Sequence, residues 1–443
     1  MPSSIEPPQE AGFAYSRPTR HNPRNLWNPD RTKPLEPPGT FGTFGTLGPT
    51  EGCYDGRMSI GKITAQVVLF ALTLAGCASG RFGPSPDTKA PPGPHTLKKL
   101  SVAERQDIME RAHVWRPLDT SSLDLTKGPV LPASQRVPAH VTCAFVYPEK
   151  PVGGMTPKFS CDLGQDDVVK VKYGEKNGEV YAEVAASRLL WALGFQADVM
   201  YPTRVTCRGC PADPFAVSGA DWGRGKPKDV STKEFDPAVI ERESGSAVEV
   251  PGYEGWAWPE IDKISSRSTG ATRAQLDAFK LLAVFIQHSD SKPGQQEIVC
   301  QEGAKGKDPK GNETCAEAWL VIKDLGGSFG KATKLNSSKM KLEDWDSAIM
   351  WKDATKCIAD MPRSFTGSLE DPVISEAGRR FLADQMLKLR DRQIRDLFLV
   401  SNVLKRGETI DGADGKKRPV VIDDWVRVFK RKRSEIVAAR CPA

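Results

Sequence analysis

The sequence predicts an α+β domain, with a small β-rich part at about residues 141–203 and a larger helical part at about 204–443. Two neighbouring patterns predict the first part. Residues 168–173 alternate apolar and basic side chains, which is the period of a half-buried strand. After a short turn, residues 179–193 place apolar side chains at helical spacing, and Gly194 ends this helix.

Further helices and one buried strand predict the larger part. Residues 274–287 are largely apolar, as in a buried helix, and residues 318–322 have the composition of a buried strand. Residues 375–403 predict a surface helix or helix pair, and residues 422–439 predict another helix. The last helix carries the basic run 430–433, for which a solvated face is favoured over contact with anionic lipid headgroups.

The bulk composition places most of the core in the later part of the chain. The 443 residues are 39% hydrophobic, and many of the 39 glycines and 35 prolines precede residue 100. The net charge of +6 is small against 62 basic and 56 acidic residues, and we see no aromatic and basic stripe of the kind that stacks bases. The composition therefore argues against nucleic acid as a partner.

The first 57 residues are rich in Pro, Gly, Asn and Arg. Such a segment buries too little apolar surface to offset the entropy of ordering, so it is predicted to be disordered. We interpret it as an upstream extension ahead of a start at Met58. The alternative is a functional disordered arm in the cytoplasm.

Residues 58–77 resemble a bacterial lipoprotein signal peptide. Lys62 supplies a positive charge, and residues 63–74 form an apolar run that is too short to span a bilayer. The sequence Leu-Ala-Gly-Cys at 74–77 resembles a lipobox, which implies that Cys77 is acylated and becomes the mature N-terminus. The alternative is a buried helix or strand that happens to end in a cysteine.

The residues after the lipobox agree with an anchored domain. Residues 78–96 are rich in Pro and Gly and predict a flexible tether between the lipid and the domain at 97–443. The resemblance implies a bacterial cell-envelope protein held to the membrane by its lipid. Ala78, rather than Asp, favours the outer membrane in a two-membrane bacterium.

Eight cysteines follow the lipobox, and an even set in an oxidising compartment predicts disulfides. Spacing leaves the connectivity open, but local pairing would join Cys143 with Cys161, Cys300 with Cys315, and Cys357 with Cys441. Cys207 and Cys210 form a CxxC motif, which predicts a disulfide loop, half of a zinc site or a redox pair. A structural disulfide in a loop is favoured, because Pro211 and Pro214 follow and a second CxxC is missing.

Lysines on the predicted strand and a glutamate on the predicted helix are candidate nucleotide-binding residues. Lys170 and Lys172 lie on one face of the strand, and Glu183 lies on the helix that follows it. In phosphoryl transfer a strand lysine holds the α- and β-phosphates of the nucleotide, and a helix glutamate orients that lysine. Either lysine could be the one that binds phosphate.

Two acidic loops complete the candidate site. Asp290 follows the apolar helix in a polar loop, with Gln295 five residues later, and Asp324 ends the strand at 318–322 beside two glycines. An aspartate in such a loop can orient or deprotonate an attacking hydroxyl. Amide and carboxylate oxygens are ligands that suit Mg²⁺.

The order Lys172, Glu183, Asp290, Gln295, Asp324 resembles the atypical kinases, which include HipA-type kinases, phosphatidylinositol kinases and certain secretory-pathway kinases. The resemblance implies a two-lobed kinase-like fold, in which residues 141–203 form the small lobe and residues 204–443 the large lobe. It implies the use of ATP with Mg²⁺ or Mn²⁺. It also implies that Lys172, preferred for its spacing to Glu183, holds phosphate, Asp290 orients the acceptor, and Gln295 with Asp324 holds the metal ion.

The sequence departs from this family at three positions of the polar loop. His288 stands where HipA-type kinases have Asn, Lys292 stands where they have His, and Gln295 replaces the metal-binding Asn. The Gly153-Gly154 pair is only a loose match to a glycine-rich phosphate loop. Two alternatives therefore stand beside an enzyme acting on an unknown protein, glycan or small molecule: a non-catalytic binding protein of pseudokinase type, and a structural envelope lipoprotein.

Overall fold

The computed structural model describes residues 102–248, 252–265, 269–301, 303–307, 309, 313–334 and 338–442. All of them belong to one compact unit of the chain. The predicted extension at 1–57, the signal segment with Cys77 and the tether at 78–96 lie outside the described residues. None of the described helices is long and apolar enough to cross a membrane.

The first part of this unit is a closed five-stranded barrel with the strand order β1-β2-β3-β5-β4. After helix α1 (Val102–Arg111), its elements are β1 (His140–Val146), β2 (Lys158–Asp162), β3 (Val168–Tyr173), α2 (Gly178–Ala192), β4 (Val199–Pro211), α3 (Pro214–Ser218) and β5 (Val230–Arg242). The side chain of Asn177 accepts from the amide of Glu179 and caps the N-terminus of α2. The observed β3 and α2 match the predicted strand and helix to within one residue at each end.

The barrel extends well beyond the predicted end of the small lobe at residue 203. Strand β4 runs to Pro211, and β5 pairs with both β4 and β3. The register between β4 and β5 shifts at Thr203–Val205 and again at Cys207–Cys210. These irregularities interrupt the alternation of buried and exposed side chains along the strands. The two long strands could therefore not be predicted from the sequence.

The rest of the unit combines helices with one small sheet. The helices are α4 (Trp258–Ile261), α5 (Arg273–Phe285), α6 (Leu342–Ser347), α7 (Glu376–Leu387), α8 (Asp391–Val400) and α9 (Ile422–Ala438). The sheet has the order β10-β7-β6, with β6 (Ser246–Ala247), β7 (Gln296–Cys300) and β10 (Ala318–Ile322). Three two-stranded pairs complete it: β8 (Lys305–Lys307) with β9 (Glu313–Cys315), β11 (Trp351–Asp353) with β12 (Ile358–Ala359), and β13 (Thr409–Asp411) with β14 (Lys417–Pro419). The chain is therefore a mixed α/β protein.

Helix α5 lies at the centre of this second part and packs against α7. Most of its residues are buried, and its C-terminal end enters an aromatic cluster that includes Phe285, Trp345, Phe398 and Trp425. Aromatic pairs of this kind add to the stability given by apolar burial. The cluster fixes the end of α5, from which the polar loop with Asp290 departs.

The basic run on α9 is not the solvated face predicted from the sequence. Lys432 is fully buried and donates to the backbone oxygen of Ala348. Arg431 bonds Asp346, and Lys430 pairs with Asp391. The four residues point in different directions around the helix, because consecutive residues do not share a helical face.

Four disulfides join the described cysteines in the pairs expected from local spacing. Cys143–Cys161 links β1 to β2, Cys300–Cys315 brackets the β8–β9 pair, and Cys357–Cys441 ties the C-terminus to the body of the domain. Cys207–Cys210 closes within β4, where the register shifts, rather than in the loop predicted from the two prolines. The CxxC motif is therefore a structural disulfide with both sulfurs buried.

Candidate functional site

Lys172 and Glu183 form a buried ion pair between β3 and α2. The Lys172 ammonium donates to Glu183 Oε1, and the two residues are 1% and 0% exposed. Within the described residues, the second Glu183 oxygen is buried and accepts no hydrogen bond. Burial opposes the charge on Lys172, but the carboxylates of Glu183, Asp324 and Glu241 outweigh it and raise the pKa of the ammonium. Lys172 is therefore a fixed positive charge.

Asp324 comes next to this pair at the end of β10. Its Oδ2 lies 3.5 Å from the Lys172 nitrogen, and its Oδ1 accepts from the Gly326 amide at 3.0 Å. Burial would raise the pKa of Asp324, but the Lys172 charge and the amide bond hold it below its usual range. A Cβ added at Gly326 would lie 2.6 Å from Glu179 and 3.0 Å from Glu183 Oε1. Only glycine lets this turn approach α2 so closely.

Asp290 lies in the polar loop after α5, and this loop contacts the Asp324 turn. The Ser289 amide donates to the Gly327 oxygen at 3.0 Å, and a Cβ added at Gly327 would lie 3.3 Å from the Asp290 Cβ. Asp290 Oδ2 accepts from Gln295 Nε2 at 2.9 Å and lies 3.4 Å from the Lys292 nitrogen. The two acidic loops predicted from the sequence are therefore neighbours.

A cavity of about 250 Å³ opens beside these loops. It is lined by Gly153, Gly154, Lys158, Lys170, Glu241, Lys292, Gln295, Lys323 and Asp324. Four lysines with two carboxylates make a polar cavity in which cations outnumber anions. Its volume lies just below the range of about 300–1,000 Å³ that is typical of pockets for whole small molecules. It suits the charged portion of a ligand, such as a chain of phosphates.

The loop between β1 and β2 covers one side of this cavity with Gly153 and Gly154. Gly154 has a φ of +86°, and a Cβ added there would lie 3.0 Å from the Lys158 ammonium. Burial lowers the pKa of Lys158, and the charges of Lys172 and Lys170 lower it further. An anion in the cavity would relieve this repulsion.

The two strand lysines have different positions in the site. Lys172 is buried behind the cavity and bound to Glu183, whereas Lys170 lines the cavity and pairs with Glu241 on β5. Burial would raise the pKa of Glu241, but Lys170 and Lys172 hold it below its usual value. Of the predicted residues, Gln295 lines the same cavity and Asp290 bonds Gln295.

Sequence reasoning missed three residues of the site: Lys158, Glu241 and Lys323. Glu241 comes beside Lys170 only because β5 pairs with β3, and β5 was not predicted. Lys323 pairs with Glu297 at 2.8 Å and precedes Asp324 directly. Charged residues are common beside strands, so nothing in the sequence separates these three from surface residues.

His288 is a buried neutral side chain beneath the acidic loops. It is 0% exposed, and burial lowers its pKa to about 4, although Asp290 and Asp324 oppose this shift. Its Nδ1 has no hydrogen-bond partner in the described part of the protein, and its Nε2 lies 3.5 Å from the side-chain amide of Gln296. These features agree with a structural role for His288.

The oxygen atoms around Asp324 define what metal the site could hold. Across the described ranges, no three His, Cys, Asp or Glu side chains are arranged to hold a metal ion by themselves. Asp324 and Gln295 together offer one carboxylate and one amide oxygen at the cavity. Mg²⁺ is commonly held by one or two protein oxygens together with waters and substrate phosphates.

Comparison with known proteins leaves the family open. No protein-family model matches the chain, and no curated protein matches it. Among solved structures, the chain is similar to the crystal structure of a Helicobacter pylori proinflammatory kinase, CtkA, with a TM-score of 0.33 and 11% identity over 68% of this chain and 95% of that one. A similarity this low assigns neither a family nor a function.

Proposed function

We propose that this domain is a kinase-like phosphotransferase that uses ATP with a divalent metal ion. The observation that carries the proposal is the buried Lys172–Glu183 pair, with Asp324 3.5 Å from Lys172 at the edge of a lysine-rich cavity. A buried ion pair costs desolvation energy and is weak support for a purely stabilising role. Its place beside a cavity for anions supports a role in binding phosphate.

The nucleotide phosphates are assigned to the lysine-lined cavity. Lys170 and Lys158 reach it from the strands, and the backbone at Gly153 and Gly154 approaches from the loop above. Lys172 acts from behind the cavity, held in place by Glu183, as a positive charge that attracts phosphate anions into it. Electrostatic preorganisation of this kind is the main contribution of a protein to phosphoryl transfer.

Asp324 and Gln295 are the residues that would hold the metal ion. The Asp324 carboxylate stays ionised because Lys172 and the Gly326 amide hold its pKa low. The Gln295 amide nitrogen donates a hydrogen bond to Asp290, so the amide oxygen is the atom that Gln295 can offer to a cation. The metal ion, when bound, neutralises charge on the phosphates during transfer.

Asp290 is assigned to the acceptor hydroxyl. It is bonded to Gln295, which lines the cavity, so it lies at the border of the phosphate site. Its side chain is 27% exposed, which leaves it accessible to a group that arrives from solvent. A carboxylate in this place can orient the attacking hydroxyl and accept its proton.

The test is production of ADP from ATP and Mg²⁺ by the full chain with its disulfides formed. ADP appears whether the acceptor is water, this protein or another molecule. Replacement Asp290→Asn should slow the reaction by about 10²–10⁴-fold, the usual contribution of a general base. The exposed carboxylate Asp229 is a matched control, and Asp229→Asn should leave the rate unchanged. Equal rates in wild type and Asp290→Asn would remove Asp290 from the mechanism.

A second candidate function is nucleotide binding without transfer. The observation that favours it is the Lys292 ammonium, which lies 3.4 Å from Asp290 Oδ2 and pairs with the carboxylate that would otherwise meet an acceptor hydroxyl. Under this proposal ATP binds with a metal ion and no ADP forms. Lys292→Ala separates the two proposals, since it would raise ADP production only if the pair with Lys292 keeps Asp290 from an acceptor hydroxyl.

We also propose that the domain is exported and anchored through Cys77. The four disulfides support this, since such bonds persist mainly in oxidising compartments. Labelling with a radioactive fatty acid in a bacterial host should mark the wild-type chain and not Cys77→Ala. Equal labelling of both chains would contradict the assignment. Since ATP is scarce outside the cytoplasm, a phosphotransferase there needs a donor that is supplied to it.

A further inference from the structure

We propose that Thr366 is a phosphoacceptor within this chain, modified by the site that faces it. The proposal rests on the proposed function and names one acceptor for it. The contact on which it depends is a hydrogen bond from Thr366 Oγ1 to Asp290 Oδ1, at 3.3 Å. The threonine hydroxyl thereby occupies the position in which Asp290 would orient an incoming hydroxyl group.

The loop of residues 363–370 is held firmly against the Asp290 loop. Ser364 Oγ donates to the Ser289 oxygen at 2.6 Å, and Ser368 Oγ donates to the Ser291 oxygen, also at 2.6 Å. The Ser368 amide donates to Ser291 Oγ at 3.1 Å. Bonds on both sides of Thr366 therefore fix the distance between its backbone and Asp290.

Close packing at Gly367 adds to this restraint. A Cβ at this position would lie 2.5 Å from Ser364 Oγ, 2.9 Å from Ser291 Oγ and 3.1 Å from the Ser289 oxygen. Glycine is therefore needed for the loop to lie as near to the Asp290 loop as it does. Thr366 directly precedes Gly367, so the close packing of the two loops also brings Thr366 to the Asp290 carboxylate.

Thr366 differs from the hydroxyl residues around it in exposure. Ser291 and Ser364 are 1% and 5% exposed, and their side chains bond the backbone of the two loops. Thr366 is exposed, and its hydroxyl points to the carboxylate instead of to backbone. The first two are structural hydroxyls, whereas Thr366 is open to a phosphoryl donor.

The reaction balances with ATP as the donor. Thr366 Oγ1 attacks the γ-phosphorus, and an Oγ1–P bond forms while the bond from the γ-phosphorus to the β,γ-bridging oxygen breaks. ADP leaves with that oxygen. The hydroxyl proton passes to Asp290 Oδ1 and then to solvent, so the products are phosphothreonine, ADP and a proton.

The test is incubation of the full, disulfide-bonded chain with γ-labelled ATP and Mg²⁺, followed by peptide mapping. The label is expected on the peptide that contains Thr366, with a first-order rate that does not depend on protein concentration. Thr366→Val should lose this label, and Thr366→Ser, which restores a hydroxyl, should regain it. Thr355→Val is the matched control, because Thr355 Oγ1 makes a similar bond to Asp353 at 2.7 Å outside the cavity.

Three outcomes would overturn the proposal. ADP production with no label on Thr366 would do so and leave the proposed function standing. Labelling that rises with protein concentration would show transfer between molecules and contradict the acceptor geometry described here. If ATP neither binds nor yields ADP, this proposal and the proposed function fail together. Mapping of the wild-type chain decides the matter even if Thr366→Val does not fold.

Discussion

Lys172 on β3 and Glu183 on α2 form an ion pair from which solvent is almost wholly excluded. The pair fixes α2 against the barrel, and Asp324 Oδ2 lies 3.5 Å from the Lys172 nitrogen. Helix position, lysine charge and aspartate ionisation are therefore coupled in one small volume. A substitution at any one of these three residues should therefore affect the other two.

Loss of one partner of this pair should destabilise the domain strongly. Lys172→Met leaves the Glu183 carboxylate buried without its cation, and we expect the free energy of unfolding to fall by about 3–5 kcal/mol. Denaturant unfolding of the disulfide-bonded chain measures this change.

The control for that change is an exposed pair. Lys127 is 82% exposed beside Asp124, so Lys127→Met should change the free energy of unfolding by less than about 0.5 kcal/mol. A Lys172→Met chain as stable as the Lys127→Met chain would show that the pair contributes little.

The long disulfide should stabilise the chain more than the short one. Cys357–Cys441 spans a sequence separation of 84 and Cys207–Cys210 a separation of 3. The chain-entropy relation gives about 4–5 kcal/mol for the long loop and about 2 kcal/mol for the short one. Replacement of each pair by alanines, with denaturant unfolding as the measurement, compares them directly. Equal losses would mean that the closed loop length does not determine the effect.

His288 should make the stability depend on pH. Its pKa is about 4 when folded and 6.5 in the unfolded reference, so below pH 6.5 the unfolded chain binds a proton that the folded chain does not. The stability is fully present above pH 6.5 and is lost as the pH falls towards 4, by about 3 kcal/mol in total. Urea unfolding from pH 7 to pH 4 should show a smaller loss in His288→Asn. The same slope in both chains would contradict a neutral buried imidazole.

Gly326 should tolerate no side chain. In Gly326→Ala the new Cβ would lie 2.6 Å from Glu179 and 3.0 Å from Glu183 Oε1, so the turn or α2 must move. Overpacking of this kind costs about 1–3 kcal/mol in the free energy of unfolding. At Gly153 a Cβ meets nothing within 4 Å, so Gly153→Ala is the matched control and should change stability little. Similar stabilities of the two variants would place the Asp324 turn farther from α2.

The sequence predicted the elements with strong periodicity and missed those without it. The strand at 168–173 and the strand at 318–322 coincide with β3 and β10, because burial leaves a clear pattern in each. The barrel strands β4 and β5 were missed, since prolines and register shifts interrupt their alternation. The predicted bound at residue 203 therefore falls inside β4 and before β5.

The order of the candidate site residues along the chain could be predicted, but the contacts between them could not. Lys172, Glu183 and Asp324 could be selected because each falls at a defined point of a predicted strand or helix. Glu241 could not, because its contact with Lys170 spans 71 residues and arises from the pairing of two distant strands. The bond from Thr366 to Asp290, across 76 residues, is a tertiary contact of the same kind.

The most direct test of the central claim is a thermal-shift titration of the full, disulfide-bonded chain with ATP, with Mg²⁺, and with both together. At about 100 times its dissociation constant, a ligand should stabilise the folded chain by about 2.7 kcal/mol. We predict a clear rise in Tm with ATP and Mg²⁺ together, and loss of that rise in Asp324→Ala. An unchanged Tm at millimolar ATP and Mg²⁺ in the wild-type chain would contradict the assignment of this cavity to nucleotide phosphates.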